Sequence, residues 1–247
     1  NSGWIILGAN RLAIEVGLAL RSKDNDVVCI DTNPDDCRAA EAAGLRVIFG
    51  NGLQDRTLLR TLPESRRGII ALTPNDEINL LFAQNCRGVA PRVHRLVSLN
   101  TRKESVTEKM LSENHHDLLF SRTRDSALWS VRLRHKDAIA ETWIVDAGPK
   151  DPKALRDLLC GTHTKSILLP LAIRHKSGPF LPVCEESPLH IGDTIKVLVN
   201  NIKRGELDVI LVEKGVSISR VSAAEAEEMG TKRRRLFTTN LPPAEKA

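Results

Sequence analysis

The chain has 247 residues, of which 41% are hydrophobic and 27% charged, and it carries a formal net charge of +5. This length suits one large domain or two modest ones, and no apolar run approaches the ~20 residues needed to span a bilayer. Tyrosine is absent and aromatic residues make up only 3%, which disfavours a base-stacking surface for single-stranded nucleic acid. The five cysteines form no CxxC pair, which favours a reducing compartment and disfavours both a disulfide framework and a cysteine metal site.

The first 121 residues alternate short apolar runs with helical patterns, which is typical of βαβ units and predicts an α/β fold with a doubly wound, Rossmann-like parallel sheet. Strands are predicted at 4–9, 27–31, 46–50, 67–73, 92–99 and 118–121. Helices are predicted at about 11–21, 33–44 and 53–62, from 73 onward, and around 103–113.

Two of these helices have clear boundary signals. Asn33 can cap the second helix, Pro34 occupies its first position, and Gly44 ends it. Thr73 is the expected cap of the helix after the fourth strand, with Asp76 three residues on, close to a capping box.

The pattern changes after residue 121. Residues 122–137 are predicted as one helix, and the segments that follow, including a helix at 151–159, favour a smaller α+β domain. The predicted organisation is therefore a Rossmann-like domain over 1–137, an α+β domain over 138–215 and a basic tail over 216–247. Within the tail, the run Lys232-Arg233-Arg234-Arg235 could contact anionic lipid headgroups, although a solvated tail is the preferred interpretation and no nucleic-acid partner is expected.

The turn after the first strand lies where dinucleotide-binding folds place Gly-x-Gly-x-x-Gly/Ala. Gly8 occupies the first glycine position and Ala13 is an accepted variant of the third, but Asn10 replaces the second. The Asn10 amide could donate to a phosphate, or it could fill the space and exclude one. The backbone amides at the start of the helix remain available to an anion in either case, and Arg11 adds a charge beside the turn.

The acidic residue expected about 20 positions later is Asp31, which ends the second strand. Its expected role is to accept hydrogen bonds from ribose hydroxyls, although it could instead only cap the next helix. Thr32 and Asn33 are uncharged, so a 2′-phosphate has no obvious partner and NADP is disfavoured. Asn79 is expected to hold the shape of the loop after the fourth strand by hydrogen bonds to backbone.

Catalysis finds little support in the sequence. No Tyr-x-x-x-Lys is possible without tyrosine, no Gly-x-Ser-x-Gly is present, and His115-His116 is predicted in a surface loop. The chain is therefore predicted not to be an enzyme, and no metal site is expected. An NAD-dependent oxidoreductase and a structural Rossmann module with a non-binding pocket stay open as alternatives.

Four segments, "ILGANRLAIEVGLAL", "IDTNPDDCRAAEAAGL", "FGNGLQ" and "ALTPNDEINLL", resemble the TrkA-N, or RCK, regulatory domain in their order and content. The resemblance covers roughly residues 4–135. More specifically, these segments are similar to the version of the domain found in the C-terminal region of bacterial NhaP-type monovalent cation:proton antiporters. The segment "FLPVCEESPLHIGDTIKVLV", with Gly192-Asp193, is similar to the companion TrkA-C domain over about 140–212.

This resemblance implies a ligand-sensing module that controls a Na⁺ or K⁺ transporter from the cytoplasmic side of the bacterial inner membrane. The membrane part would be fused upstream, as the start of the chain at its first strand suggests, or would be a separate partner. The resemblance also implies a homodimer, with Leu128, Trp129 and Val131 at its interface. The implied ligand is NAD(H) or an adenine nucleotide (AMP, ADP or ATP), although Asn10 leaves AMP alone, or no ligand, as alternatives. The implied nucleotide-binding residues are Gly8, Ala9, Asn10, Arg11, Leu12, Asp31, Thr32, Asn33, Asn51, Gly52, Thr73 and Pro74.

Overall fold

A computed structural model describes residues 2–100, 105–121, 123–175, 178–185, 187–222, 224–226 and 228. The start of the helix predicted around 103–113 and the basic run Lys232–Arg235 lie outside the described residues. Within the described part, the chain forms two β-sheets, one after the other along the sequence. None of the helices in that part is both long enough and apolar enough to cross a membrane.

The first sheet is fully parallel, with the strand order β3-β2-β1-β4-β5-β6. Its strands are β1 (Trp4–Leu7), β2 (Val27–Asp31), β3 (Arg46–Phe49), β4 (Gly68–Ala71), β5 (His94–Val97) and β6 (Asp117–Leu118). This is the strand order of dinucleotide-binding folds, and the predicted doubly wound sheet is confirmed. The order reverses between β1 and β4, which opens a crevice at the carboxyl ends of these strands.

Among the described residues, six α-helices accompany this sheet. They are α1 (Arg11–Leu20), α2 (Pro34–Ala42), α3 (Asp55–Leu59), α4 (Asp76–Val89), α5 (Glu108–Glu113) and α6 (Ser126–Arg134). The boundary signals of α2 are confirmed, because the Asn33 side chain accepts from the N–H groups of Asp35 and Asp36, and Gly44 follows the helix with a φ of 83°.

Three predicted helix boundaries are corrected. Asn75, and not Thr73, caps α4, because the Thr73 hydroxyl is engaged with the Asn75 carbonyl and the Asn79 side chain. Helix α3 ends at Leu59 and not near 62, since the chain leaves the helix and Pro63 begins a separate 3₁₀ turn. Helix α6 is shorter than the predicted 122–137, because the Asp125 side chain caps it at its start.

The second sheet is antiparallel, with the strand order β11-β7-β10-β8-β9. Its strands are β7 (Ala138–Ala147), β8 (Leu168–Arg174), β9 (Leu181–Pro182), β10 (Thr194–Asn200) and β11 (Ser217–Val221), and its helices are α7 (Pro152–Cys160) and α8 (Arg204–Glu213). Strand β11 lies in the segment predicted as tail, so the boundary at 215 is corrected. Its residues pair with β7, far away in the sequence, which the local pattern does not reveal.

Helix α1 packs against strands of both sheets. Its apolar residues share one buried core with residues of the second sheet, among them Leu171, Phe180 and Leu198. Polar contacts join the same two parts, because the Lys196 ammonium lies 3.5 Å from the Leu18 carbonyl and the Asn25 amide lies 3.4 Å from the Phe180 carbonyl. The two sheets are therefore joined through α1.

Candidate functional site

A cavity of about 540 Å³ lies at the carboxyl ends of β1 to β4, where the strand order reverses. We call it the crevice. Its lining residues are Leu7, Gly8, Asn10, Ile30, Asp31, Thr32, Asp36, Gly50, Asn51, Gly52, Leu53, Thr73, Pro74, Asn75 and Ile78. Open α/β sheets bind their ligands at this position.

Most of the predicted nucleotide-binding residues line the crevice, and four do not. Ala9 and Leu12 are buried, Arg11 is exposed outside the lining, and Asn33 caps α2. The predicted set lacks Asp36, Gly50, Asn75 and several apolar wall residues. Asp36 could have been found from its position in the first turn of the helix that follows Asp31.

Gly8 makes the tight turn that leads from β1 into α1. Its φ is 109°, and a Cβ at this position would lie 2.8 Å from the Leu72 carbonyl oxygen, so a larger residue would be strained and would also collide with β4. The first glycine of the predicted turn is therefore required by the backbone itself.

Both polar ends of the Asn10 side chain bind the protein, and the residue also lines the crevice. Its Oδ1 accepts from the Ala13 N–H at 3.1 Å and so caps α1, while its Nδ2 donates to the Leu72 carbonyl at 2.9 Å. The N–H groups of Arg11 and Leu12, in the first turn of α1, have no acceptor within the helix. The start of α1 therefore keeps its backbone donors and positive dipole end for an anion, while the Asn10 amide is already engaged.

The Asp31 carboxylate, at the end of β2, joins this strand to the turn after β1 and to the start of α2. Its Oδ2 accepts from the Ala9 N–H at 2.7 Å, and its Oδ1 accepts from the Asn33 N–H at 2.9 Å. Each carboxylate oxygen can accept two hydrogen bonds. Asp31 thus supports the turn and the start of α2 and still has capacity for a ribose hydroxyl.

Asp36 adds a second carboxylate to this wall. Burial raises the pKa of Asp36, the neighbouring carboxylates of Asp31 and Asp35 raise it further, and the guanidinium groups of Arg134 and Arg11 offset part of this rise. The crevice-lining residues include no lysine or arginine. This end of the crevice therefore disfavours additional negative charge.

Asn79 fixes the loop that follows β4. Its Oδ1 accepts from the Thr73 N–H and hydroxyl at 2.9 and 2.7 Å, and its Nδ2 donates to the carbonyls of Thr73 and Ser98 at 3.0 and 3.1 Å. The side chain is fully buried. These contacts match the predicted role of Asn79 in holding the crevice wall.

The predicted dimer residues on α6 differ in exposure. Trp129 is fully buried and stacks under the Arg132 guanidinium, whose central carbon lies 4.7 Å from the ring centroid. Leu128 is half-buried and Val131 is 44% exposed. The dimer prediction therefore depends on Leu128 and Val131. His116, predicted in a surface loop, is buried beside Arg95, and that placement is corrected.

The family model for the TrkA-N domain matches residues 4–120. No curated protein matches the chain significantly. Among solved structures, the TrkA-N domain of the inner membrane protein ybaL from Escherichia coli is similar at 17% identity and a TM-score of 0.42, covering 47% of this chain and 84% of that one.

Two structures of GsuK cover more of the chain. The GsuK RCK domain is similar at 16% identity and a TM-score of 0.40, covering 86% of this chain and 47% of that one. The GsuK channel bound to NAD is similar at 17% identity and a TM-score of 0.39, covering 86% of this chain and 39% of that one. This chain thus spans less than half the length of either GsuK chain.

Proposed function

Since the TrkA-N family model matches residues 4–120, we propose that this chain is a ligand-sensing regulatory module of a monovalent-cation transporter, such as a Na⁺ or K⁺/proton antiporter. It acts on the cytoplasmic side of the bacterial inner membrane, and the transporter is fused to it or associated with it. Its ligand is NAD(H) or an adenine nucleotide, and its role is to regulate transport and not to catalyse a reaction.

The crevice with Asp31 at the end of β2 is the observation that carries this proposal. In this arrangement the ribose hydroxyls of the adenosine donate to Asp31, and the phosphates lie at the first-turn amides of α1. The Asn10 side chain is held against the Leu72 carbonyl, so the phosphates depend on backbone donors.

The charges of the crevice favour NAD(H) over NADP(H). Asp31 and Asp36 lie on the same wall, and the burial of Asp36 already raises its pKa. A 2′-phosphate placed there would face two carboxylates without a cationic partner among the lining residues of the crevice. Like charges repel, so NADP(H) is expected to bind more weakly than NAD(H).

Helix α1 offers a route from the crevice to the rest of the molecule. Its N-cap residue Asn10 lines the crevice, its apolar side packs in the core shared with the second sheet, and it also contacts α6. A ligand that binds one arrangement of these elements more tightly than another shifts the population toward it. Leu128 and Val131 on α6 would pass such a shift to a second subunit.

Isothermal titration with NAD⁺, NADH, NADP⁺, ATP, ADP and AMP tests the proposal. We expect saturable binding of NAD(H) or an adenine nucleotide, weaker binding of NADP⁺, and an affinity loss of about 10- to 100-fold in Asp31→Ala, as for a lost charged hydrogen bond. Asp35→Ala removes an exposed carboxylate of α2, four residues further along the chain, and is the matched control. Circular dichroism verifies the fold of each variant.

Two results would contradict the proposal. Binding by none of the nucleotides would favour the structural module with a non-binding pocket. Oxidation or reduction of a bound nicotinamide in the presence of one of a panel of substrates, monitored by its absorbance, would favour the oxidoreductase.

A further inference from the structure

We propose that the second sheet carries a binding site for a first-row transition-metal dication, with Zn²⁺ as the reference ion, formed by His175, His190 and Asp193. One ligand atom from each of these side chains lies within 4.8 Å of the others. This metal site lies apart from the crevice, shares no residue with it and does not depend on nucleotide binding.

The pairing of β8 with β10 brings two of the ligands together. The two strands are antiparallel, and Arg174 pairs with Thr194. His175 directly follows the first of these residues and Asp193 directly precedes the second, so the end of the ladder places the two side chains side by side. The His175 Nδ1 lies 2.9 Å from the Asp193 Oδ2.

A tight turn supplies the third ligand. The Asp193 N–H donates to the His190 carbonyl at 3.1 Å, and Gly192 inside the turn has a φ of 89°, a conformation that glycine adopts without strain. The Gly192 N–H donates to the Val145 carbonyl on β7 at 2.7 Å. The turn is therefore fixed to the sheet, and the His190 ring is held beside Asp193.

The two distances from the Asp193 carboxylate to the histidine ligand atoms are close to those of a zinc centre. Tetrahedral zinc bound at 2.0–2.1 Å separates its ligand atoms by about 3.3 Å. The Asp193 Oδ2 lies 2.9 Å from the His175 Nδ1 and 3.5 Å from the His190 Nδ1. The ligand atoms of the two histidines lie within 4.8 Å of each other, so rotations of these two partly exposed rings would complete the geometry around the ion.

Burial and donor chemistry agree with this assignment. The Asp193 side chain is only 4% exposed, while the side chains of His175 and His190 are 36% and 51% exposed, so an ion could enter between the rings and keep a water ligand. The backbone N–H of His190 donates to the Asp193 Oδ2 at 2.7 Å and orients the carboxylate, as outer-shell donors do in metal sites. Two imidazoles and a single carboxylate suit zinc and its neighbours, whereas Ca²⁺ and Mg²⁺ prefer sets of oxygen ligands.

The test is a titration of the full chain, purified without a polyhistidine tag, with Zn²⁺ in competition with a chromogenic chelator. We expect one Zn²⁺ per chain. The affinity should fall at least 10-fold in His175→Ala, His190→Ala and Asp193→Asn, since even the loss of an outer-shell partner typically costs ~10–100-fold. His135→Ala removes an exposed histidine outside the site and should bind like the wild type.

Co²⁺ gives an independent readout of the ligands. A chain that binds Co²⁺ through these residues should show visible d–d absorption of a low-symmetry centre without the near-ultraviolet charge-transfer band of a thiolate ligand. The absence of saturable Zn²⁺ binding would overturn the proposal. Unchanged affinity in the three site variants, or a thiolate band that persists in them, would also overturn it.

Discussion

At the scale of single residues, Asn10 combines two structural tasks at the point where a dinucleotide fold normally has glycine. It caps α1 through Ala13 and joins the first turn to the end of β4 through Leu72. A glycine would allow closer approach of a phosphate but would make neither contact. Asn10 therefore occupies space in the crevice that a glycine would leave open, and its two hydrogen bonds fix the position of α1.

Replacing Asn10 with alanine should lower the free energy of unfolding by about 1–2 kcal/mol, because the substitution removes a helix cap and leaves the Leu72 carbonyl without its amide donor. Urea denaturation measures the change. Asn10→Ser keeps a capping oxygen but does not reach Leu72, so it should be destabilised by less than the alanine variant. Equal stability of Asn10→Ala and the wild type would show that the two contacts contribute nothing.

His116 should make stability depend on pH. Burial, together with the nearby Arg95 guanidinium, lowers the pKa of His116 below its usual value of 6.5. The unfolded chain then binds a proton that the folded chain excludes, so stability is retained above pH 6.5 and is lost as the pH falls below it.

The measurement is the thermal midpoint of unfolding between pH 7.5 and 5.5, a range of about one unit on either side of an ordinary histidine pKa. The midpoint of the wild type should fall more steeply than that of His116→Gln, which cannot be protonated. His135→Gln, at an exposed position, should follow the wild type. Identical slopes for the wild type and His116→Gln would contradict the assignment.

At the scale of elements, the loop after β4 is fixed by one side chain on α4. Asn79→Ala removes the side chain that bonds the Thr73 N–H and the carbonyls of Thr73 and Ser98, and we expect a loss of about 3 kcal/mol in the free energy of unfolding. Because Thr73 and Pro74 line the crevice, nucleotide affinity should fall as well. Asn85→Ala, on the same helix, removes one half-buried hydrogen bond to the Leu53 carbonyl and should cost only about 1 kcal/mol. Chemical denaturation compares the two, and equal losses would contradict the special role of Asn79.

The elements also show which features a sequence can predict. The ends of α2 depend on Asn33, Pro34 and Gly44, which lie next to the helix, so local patterns predict them well. Thr73 was predicted as a cap and is not one, because Asn79 competes for its hydroxyl across a loop.

Features that depend on strand pairing could not be predicted in this way. Strand β11 exists through its pairing with β7, and His175 meets Asp193 through the pairing of β8 with β10. No sequence spacing encodes these contacts. The positions that line the crevice were largely predictable, because the carboxyl ends of parallel strands meet at one edge of the sheet.

At the scale of the whole molecule, the two sheets share a core through α1, and Phe180 is a central part of that core. The ring is buried between the Arg174 guanidinium at 4.5 Å and the Lys196 ammonium at 4.2 Å from its centroid. Phe180→Ala should lower the free energy of unfolding by about 3–5 kcal/mol. It should also split the single calorimetric transition expected of the wild type into two. Phe49→Ala, at a position that is 62% exposed, is the matched control and should change little.

Hydrogen exchange of the full chain, with and without the nucleotide that binds best, tests the central claim most directly. If the crevice senses a nucleotide and α1 passes the effect to the second sheet, amides near Gly8, Asp31 and Thr73 should be protected. Amides in β8 and β9, which lie beyond the crevice, should change with them. Protection confined to the crevice, or no change anywhere, would contradict the account of this chain as a regulatory module.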